Sequence, residues 1–277
     1  MGLRIATNIT SMAAQRSLSV NNQSQEKTLE KLASGSRIVR AADDAAGLAI
    51  SEKLKAQIRG TKQAERNAND GISMIQTAEG GLNEISGILT RLRELSVQSA
   101  SDTVGDPERS FTNLEYQNLK QEVERISQVT EFNGKKLLNG VGDTLDFQIG
   151  IHNDDFKDRI KYDVAATNAS VVSLGVNEID VSSKGGAQMS LAVLDSAIEK
   201  VSGQRAGLGA VQNRLGSTIQ NLQINNENMS AANSRIRDTD FASETAANVK
   251  LNILTNAGTS VLAQSNAQGQ VALKLLA

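Results

Sequence analysis

Between residues 191 and 236 apolar side chains recur at alternating steps of three and four: Leu191, Leu194, Ile198, Val201, Leu208, Leu215, Ile219, Leu222, Met229 and Ile236. Arg205, Gln212, Asn226 and Asn233 fall on the same line. Such spacing is the seam of one helix laid along another. A helix of this length runs ~70 Å at about 1.5 Å per residue, so it needs a partner of similar length. The polar seam positions weaken the packing, and a buried amide or guanidinium fixes register at that cost. Gly203, Gly207, Gly209 and Gly216 lie within the same stretch. Each costs roughly 1 kcal/mol against alanine, so packing rather than propensity must hold this helix.

Residues 54–92 supply the partner, with Leu54, Ile58, Ala64, Ala68, Ile72, Ile75, Ala78, Leu82, Ile85, Leu89 and Leu92 at threes and fours. A small-residue loop at 99–105 ends it. Asp106-Pro107-Glu108 then predicts a helix start with Asp at the cap, Pro at the first helical position and Glu in the first turn. Phe111, Leu114, Leu119, Val123, Ile126 and Val129 are its expected apolar face, and residues 131–134 close it. The period then changes to two. Leu145, Phe147, Ile149 and Ile151, followed by Ile160, Tyr162 and Val164, read as a hairpin, and Ile179 with Val181 as a further strand.

The two ends of the chain are sparser. Ile5, Ile9, Met12, Leu18, Leu29 and Leu32 have helical spacing but are separated by Asn, Gln, Ser and Thr. So little apolar surface does not offset ordering entropy in isolation, which leaves a flexible tail or a segment that folds on assembly. Ser34 and Gly35 break this helix, and Asp43 or Asp44 caps the next. The last helix starts near Phe241. Along it Ala247, Leu251, Leu254, Gly258, Val261, Ser265, Gln268, Ala272 and Leu275 keep the three-four step, while Val249, Ile253, Leu262 and Leu276 lie off that line. Apolar residues on more than one face point to burial among several copies. The candidate subunit interface is therefore Ile5, Ile9, Met12, Leu29 and Leu32 from one end. From the other come Val249, Leu251, Ile253, Leu254, Val261, Leu262, Leu275 and Leu276.

These patterns predict a mainly α fold: an elongated antiparallel helical bundle or coiled coil with a small β-hairpin insert, its N- and C-terminal helices paired at one end. The expected division is residues 1–40 with 235–277, residues 41–140 with 184–234, and an insert at 141–183. A sticky end that meets a different surface of a neighbour gives an open helical polymer unless the rotation closes it into a ring.

Composition narrows the function. Seven aromatics, no Trp and one Pro suit long helices better than a compact core. With 29 basic and 31 acidic residues well mixed, nothing marks a nucleic-acid or anionic-membrane surface. Absent cysteine removes disulfides, thiolate nucleophiles and Cys-bound metals. Asp43 and Asp44 read as caps, and His152, beside Asp154 and Asp155, as a solvated loop residue rather than a metal ligand or base. No catalytic, cofactor or metal site is expected. The first residues lack the apolar core of a cleaved secretory signal, and no run of about 20 apolar residues occurs.

Several motifs carry a resemblance. Ser34-Gly35-Ser36-Arg37-Ile38 is followed by Ala41-Ala42-Asp43-Asp44-Ala45-Ala46-Gly47-Leu48-Ala49-Ile50 and Asp70-Gly71-Ile72-Ser73-Met74-Ile75-Gln76-Thr77-Ala78-Glu79-Gly80. Phe132-Asn133-Gly134-Lys135-Lys136-Leu137-Leu138, Ser234-Arg235-Ile236-Arg237-Asp238-Thr239-Asp240 and Leu262-Ala263-Gln264-Ser265-Asn266 complete the set. Together they resemble bacterial flagellin over nearly the whole chain. The resemblance implies a filament subunit exported unfolded through the flagellum's own type III channel and polymerised beneath a cap. Its partners would be itself, a flagellar export chaperone, and the cap and hook-associated proteins. In that family the terminal segments are disordered in the monomer and line the filament's inner tube, here residues 1–40 and 235–277. The seam helices form the outer tube. By the same resemblance Arg91, Leu95 and Glu115 match positions recognised by an animal innate immune receptor, although Thr90 stands where the family usually has Gln. Gly269 replaces a usual Pro, loosening the expected turn there. The short 141–183 insert implies a thin, smooth filament. A hook-filament junction protein is the rival of the same class. A metallopeptidase-bearing flagellin would need a His-Glu-x-x-His motif that the chain lacks.

Overall fold

A computed structural model describes residues 7–274, with side chains through residue 267. Among the described residues the order is α1 (Ile9–Ser34), α2 (Ala45–Ser99), α3 (Asp106–Val129), β1 (Glu131–Phe132), β2 (Lys135–Lys136), β3 (Leu145–Gln148), β4 (Arg159–Tyr162), α4 (Val171–Leu174), α5 (Lys184–Arg237) and α6 (Phe241–Lys274). The mainly helical fold with a small antiparallel hairpin is as the patterns predict. α6 continues as helix through Gly269, so the turn expected there is absent.

The chain forms two compact units. One comprises residues up to Ala56 and from Asn228 on, and the other is Gln57–Glu227. The division falls inside α2 and α5.

In the second unit, α2 buries the predicted line completely from Ile75 through Ala78, Leu82, Ile85 and Leu89 to Leu92. Against it α5 buries Leu194, Ala197, Val201, Leu208 and Leu215. No seam position of α5 is exposed, from Leu191 to Ile236. Arg93 reaches Asp195 at 2.6 Å and Gln223 donates to Glu65 at 2.8 Å, which sets the two helices antiparallel. Arg205 Nε and the Oδ1 atoms of Asn226 and Asn233 are buried without hydrogen-bond partners, a desolvation cost left uncompensated.

Helix α3 differs from its sequence reading. Gly105 occupies the cap, Asp106 is already helical, and its carboxylate pairs with Arg109 at 2.7 Å instead of capping. Leu119, Val123 and Ile126 do face the core, but Phe111, Leu114 and Val129 are exposed. The remaining buried positions are Arg109, Tyr116, Lys120 and Ser127. Long polar side chains are tolerated inside because they meet carbonyls. Arg109 Nε donates to the Ser99 carbonyl at 2.9 Å, and Lys120 Nζ to those of Asn177 and Ile179 at 2.7 and 3.0 Å. Burial pushes the Lys120 ammonium below its ordinary pKa, with Asp180 opposing. That bonding replaces the strand expected at 179–181: the Ile179 carbonyl serves Lys120, and the Val181 N–H donates to Asn113.

After α3 the dipeptide Asn133-Gly134, with φ of 49° and 76°, turns β1 into β2, an Asn-Gly hairpin signal that residues 131–134 carried. The larger hairpin forms where predicted, with Leu145 opposite Tyr162 and Phe147 opposite Ile160. Its inward residues pack on α2, and at Gly60 a Cβ would come within 2.9 Å of Ile151 Cγ2, so the helix is bare there to admit the loop.

Both tyrosines of the chain sit in this core. Tyr162 donates or accepts at Thr167 Oγ1, 2.9 Å away. The Tyr116 hydroxyl lies without a well-formed hydrogen bond near the Ser96 and Ser190 hydroxyls, which bond each other at 2.9 Å. Burial raises both phenol pKa values. Both phenols stay protonated in the fold while an unfolded chain would ionise near pH 10, so this stability is complete below about pH 10 and lost as pH rises through the folded values. A 295 nm titration of the folded protein, free of Trp signal, should show no phenolate until above pH 10. Ionisation at the ordinary value would contradict this packing.

Candidate functional site

The terminal helices α1 and α6 pair antiparallel inside the first unit, and their shared seam is small and polar. Asn8 Nδ2 donates to the Ser265 carbonyl at 2.9 Å and Thr10 shares a 2.8 Å hydrogen bond with the Ser265 hydroxyl. Ser11 donates to Asn266 at 2.8 Å, Gln25 to Asn252 at 2.6 Å, and Lys31 meets Glu244 at 3.8 Å. Gly258 packs against Leu18. Along α1's 26 residues only Thr28 is buried.

Most of the large apolar side chains of the pair point away from this seam. Ile9 is 63 % exposed and Ile253 62 %. Met12, Leu29, Val249, Leu254 and Val261 are exposed as well. Leu32, Leu251 and Leu262 are half-buried within the pair. Ile5, Leu275 and Leu276 lie outside the residues whose side chains are described. Of the candidate interface residues, then, seven present free apolar surface and three mix contact with exposure.

Two loops lock this unit. Gly35 ends α1 in the left-handed region at φ 65°, and the chain then pairs with the α5–α6 junction: the Arg37 N–H donates to the Arg237 carbonyl at 2.6 Å and the Thr239 N–H to the Gly35 carbonyl at 3.1 Å. The two predicted cap aspartates divide the work. Asp44 accepts the Gly47 N–H at 2.8 Å and caps α2, whereas Asp43 accepts the N–H groups of Arg40 and Val39 at 3.0 and 3.2 Å. Those two donors, Arg40's foremost, hold the Asp43 carboxyl below its usual range.

Arg91 and Glu115 meet at 2.9 Å on the surface of the second unit, and Arg91 also reaches Glu94 at 3.0 Å. Glu94 first, then Glu115, raises the Arg91 pKa further. Leu95 does not join them: it is 2 % exposed and packs in the core. His152 stands in an exposed loop, where its carbonyl accepts from Gln148 at 2.8 Å. Among the described residues no group of three or more His, Cys, Asp or Glu is placed to hold a metal, and no helix is long and apolar enough to cross a membrane.

Comparison with known proteins bears on this arrangement. A family model described as the bacterial flagellin N-terminal helical region matches residues 5–143, and one described as the bacterial flagellin C-terminal helical region matches residues 191–276. The chain is 45 % identical over 269 residues to a flagellin of Halalkalibacterium halodurans, across 97 % of this chain and 98 % of the relative. It is 43 % identical over 281 residues to the flagellar filament 30.7 kDa core protein of Treponema maltophilum, across 97 % and 98 %. The crystal structure of Bacillus cereus flagellin superposes with a TM-score of 0.50 at 29 % identity, covering 61 % of this chain and 94 % of that one.

Proposed function

Because this chain belongs to the bacterial flagellin family, we infer that it is a structural subunit of the flagellar filament, polymerising by burying the outward apolar face of its α1–α6 pair against copies of itself. One observation supports the assembly half of this reading: the seam of the two terminal helices is largely small and polar, with Leu18, Leu32, Leu251 and Leu262 only half-buried in it, while Ile9, Met12, Val249 and Ile253 are left exposed. Exposed apolar surface of this kind is stabilising only once covered. A covering copy attaches through a surface different from the one it covers, and repetition gives an open helical array.

The finer parts of the function follow the family. Export runs through the flagellum's own channel, with an export chaperone covering the terminal segments until the cap and hook-associated proteins receive them. The terminal helices suit that route, since little buried surface opposes their unfolding. An animal receptor approaching α2 and α3 would meet Arg91 and Glu115 as a paired charge, with Leu95 buried in the core and out of its reach. A hook-filament junction role is not favoured: both flagellin regions match, and identity to flagellin extends over nearly the whole chain.

Electron microscopy of the purified chain after warming or salting on sheared seeds tests the reading. Smooth filaments that lengthen from the seeds are expected. Protein that only stops seed growth would overturn it in favour of the junction role.

A further inference from the structure

One groove of the second unit takes no part in the filament reading. It lies between the middle of α5 and β4 with the turn that follows it, encloses about 440 Å³, and has Tyr162, Ala166, Leu208 and Val211 as its apolar wall. Part of its lining is bare helix backbone. Gly203 and Gly207, about one turn apart on α5, both border it, and a Cβ built at either would meet nothing within 4 Å. Glycine is a poor residue for the inside of a long helix. No close approach demands it here, so the volume that two side chains would fill is left as open space. A cleft of this size, mainly apolar with a few fixed polar groups, has the form of a small-molecule site.

The free polar groups of the groove are acceptors. Gln204 Nε2 donates to the Asn168 carbonyl at 2.9 Å, a partner that only accepts, so the orientation of the amide is fixed and Oε1 is its other end. That oxygen is buried without a hydrogen-bond partner, and an acceptor left so costs free energy until a donor reaches it. Asp163 accepts the Ala165 N–H at 2.9 Å through Oδ1, and no Lys or Arg among the described residues pairs with its carboxylate. Lys161, the cation of the lining, is engaged elsewhere, 2.7 Å from Asp155. The Tyr162 and Thr167 hydroxyls are taken up with each other at 2.9 Å.

We propose that this groove binds a small organic amine, its apolar body lying over the two glycines against Leu208 and Val211 and its ammonium donating to Gln204 Oε1. An ammonium carries three N–H donors and no acceptor, the complement of this lining. The exposed Asp163 carboxylate selects a cation over an anion and adds little strength, as charges at a wet rim do. The bound amine ties the turn after β4 to α5, so it stabilises the folded unit by mass action.

Calorimetric titration of the full-length monomer with 2-phenylethylammonium should show one saturable site at millimolar concentrations or below, and the amine should raise the melting temperature. Phenylacetate, with the same ring and the opposite charge, should not bind. Gly207→Leu fills the groove and should abolish binding, with its helical spectrum intact because leucine favours the helix. Asp163→Asn, whose side-chain oxygen still accepts the Ala165 N–H, should weaken binding by about three- to fivefold. Absence of saturation, equal binding of phenylacetate, or an affinity unchanged by Gly207→Leu or by Asp163→Asn overturns the site. If Gly207→Leu does not fold, Gly203→Ala combined with Gly207→Ala takes its place, each adding one methyl group in open space. Weaker binding by that variant supports the site, and unchanged binding overturns it.

Discussion

Val249→Asp combined with Ile253→Asp is expected to abolish polymerisation while the lone subunit keeps its helical spectrum. Both side chains are exposed, so neither contributes to the fold of the isolated chain. Burial of each in the polymer is worth about 1.5–3 kcal/mol, and burial of an unpaired carboxylate adds a penalty on top. Two such losses weaken subunit association by on the order of 10²–10⁴ or more, at 1.4 kcal/mol per tenfold. Sedimentation should find essentially all of the variant in the supernatant at concentrations where the unmodified chain pellets. Removal of residues 1–40 or of 235–277 should have the same outcome, since each deletion discards one half of the α1–α6 pair. Hydrogen exchange gives a second readout: amides of α1 and α6 should exchange rapidly in dilute monomer and slowly in filaments. A polymerising Asp variant, or strong protection of α1 in the monomer, would sink the idea that copies stabilise these helices.

A Leu89→Ala substitution should instead strike the second unit. Leu89 is fully buried between α2 and its neighbours, and its loss removes transfer free energy and leaves a cavity, costing about 2–5 kcal/mol. Leu114→Ala, on the exposed face of α3, should change stability by less than about 0.5 kcal/mol. Denaturant midpoints of the two variants provide the comparison. Equal destabilisation would mean that the buried and exposed faces of α3 have been assigned wrongly.

That contrast marks where the sequence ran out. The α5 seam was legible, polar interruptions included, because a long helix against a long helix repeats one geometry and an average over many turns survives single exceptions. The larger hairpin was legible for a similar reason, a strict alternation along each strand, although which residues pair across it came from the structure. Helix α3 was not. It spans few turns, and its buried face is completed by Arg109 and Lys120, whose charged ends find carbonyls from Ser99, Asn177 and Ile179. Hydropathy does not register a partner supplied from elsewhere in the chain. The Asn133-Gly134 turn, by contrast, carried a sufficient local signal in its own residues.

The interface candidates divide in the same way. Their identity as apolar residues at the ends of the chain could be read directly, and so could the flagellin resemblance carried by the ordered motifs. Which of them stay free could not, because that depends on how α1 and α6 turn toward each other. Small polar side chains fill their seam and send Ile9, Met12, Val249 and Ile253 outward. Local spacing and turn chemistry therefore determined the helices, the large hairpin and the need for partners. Only the tertiary structure decided which faces are spent within the chain and which remain for a neighbour, since burial is a property of two surfaces and a sequence pattern describes only one.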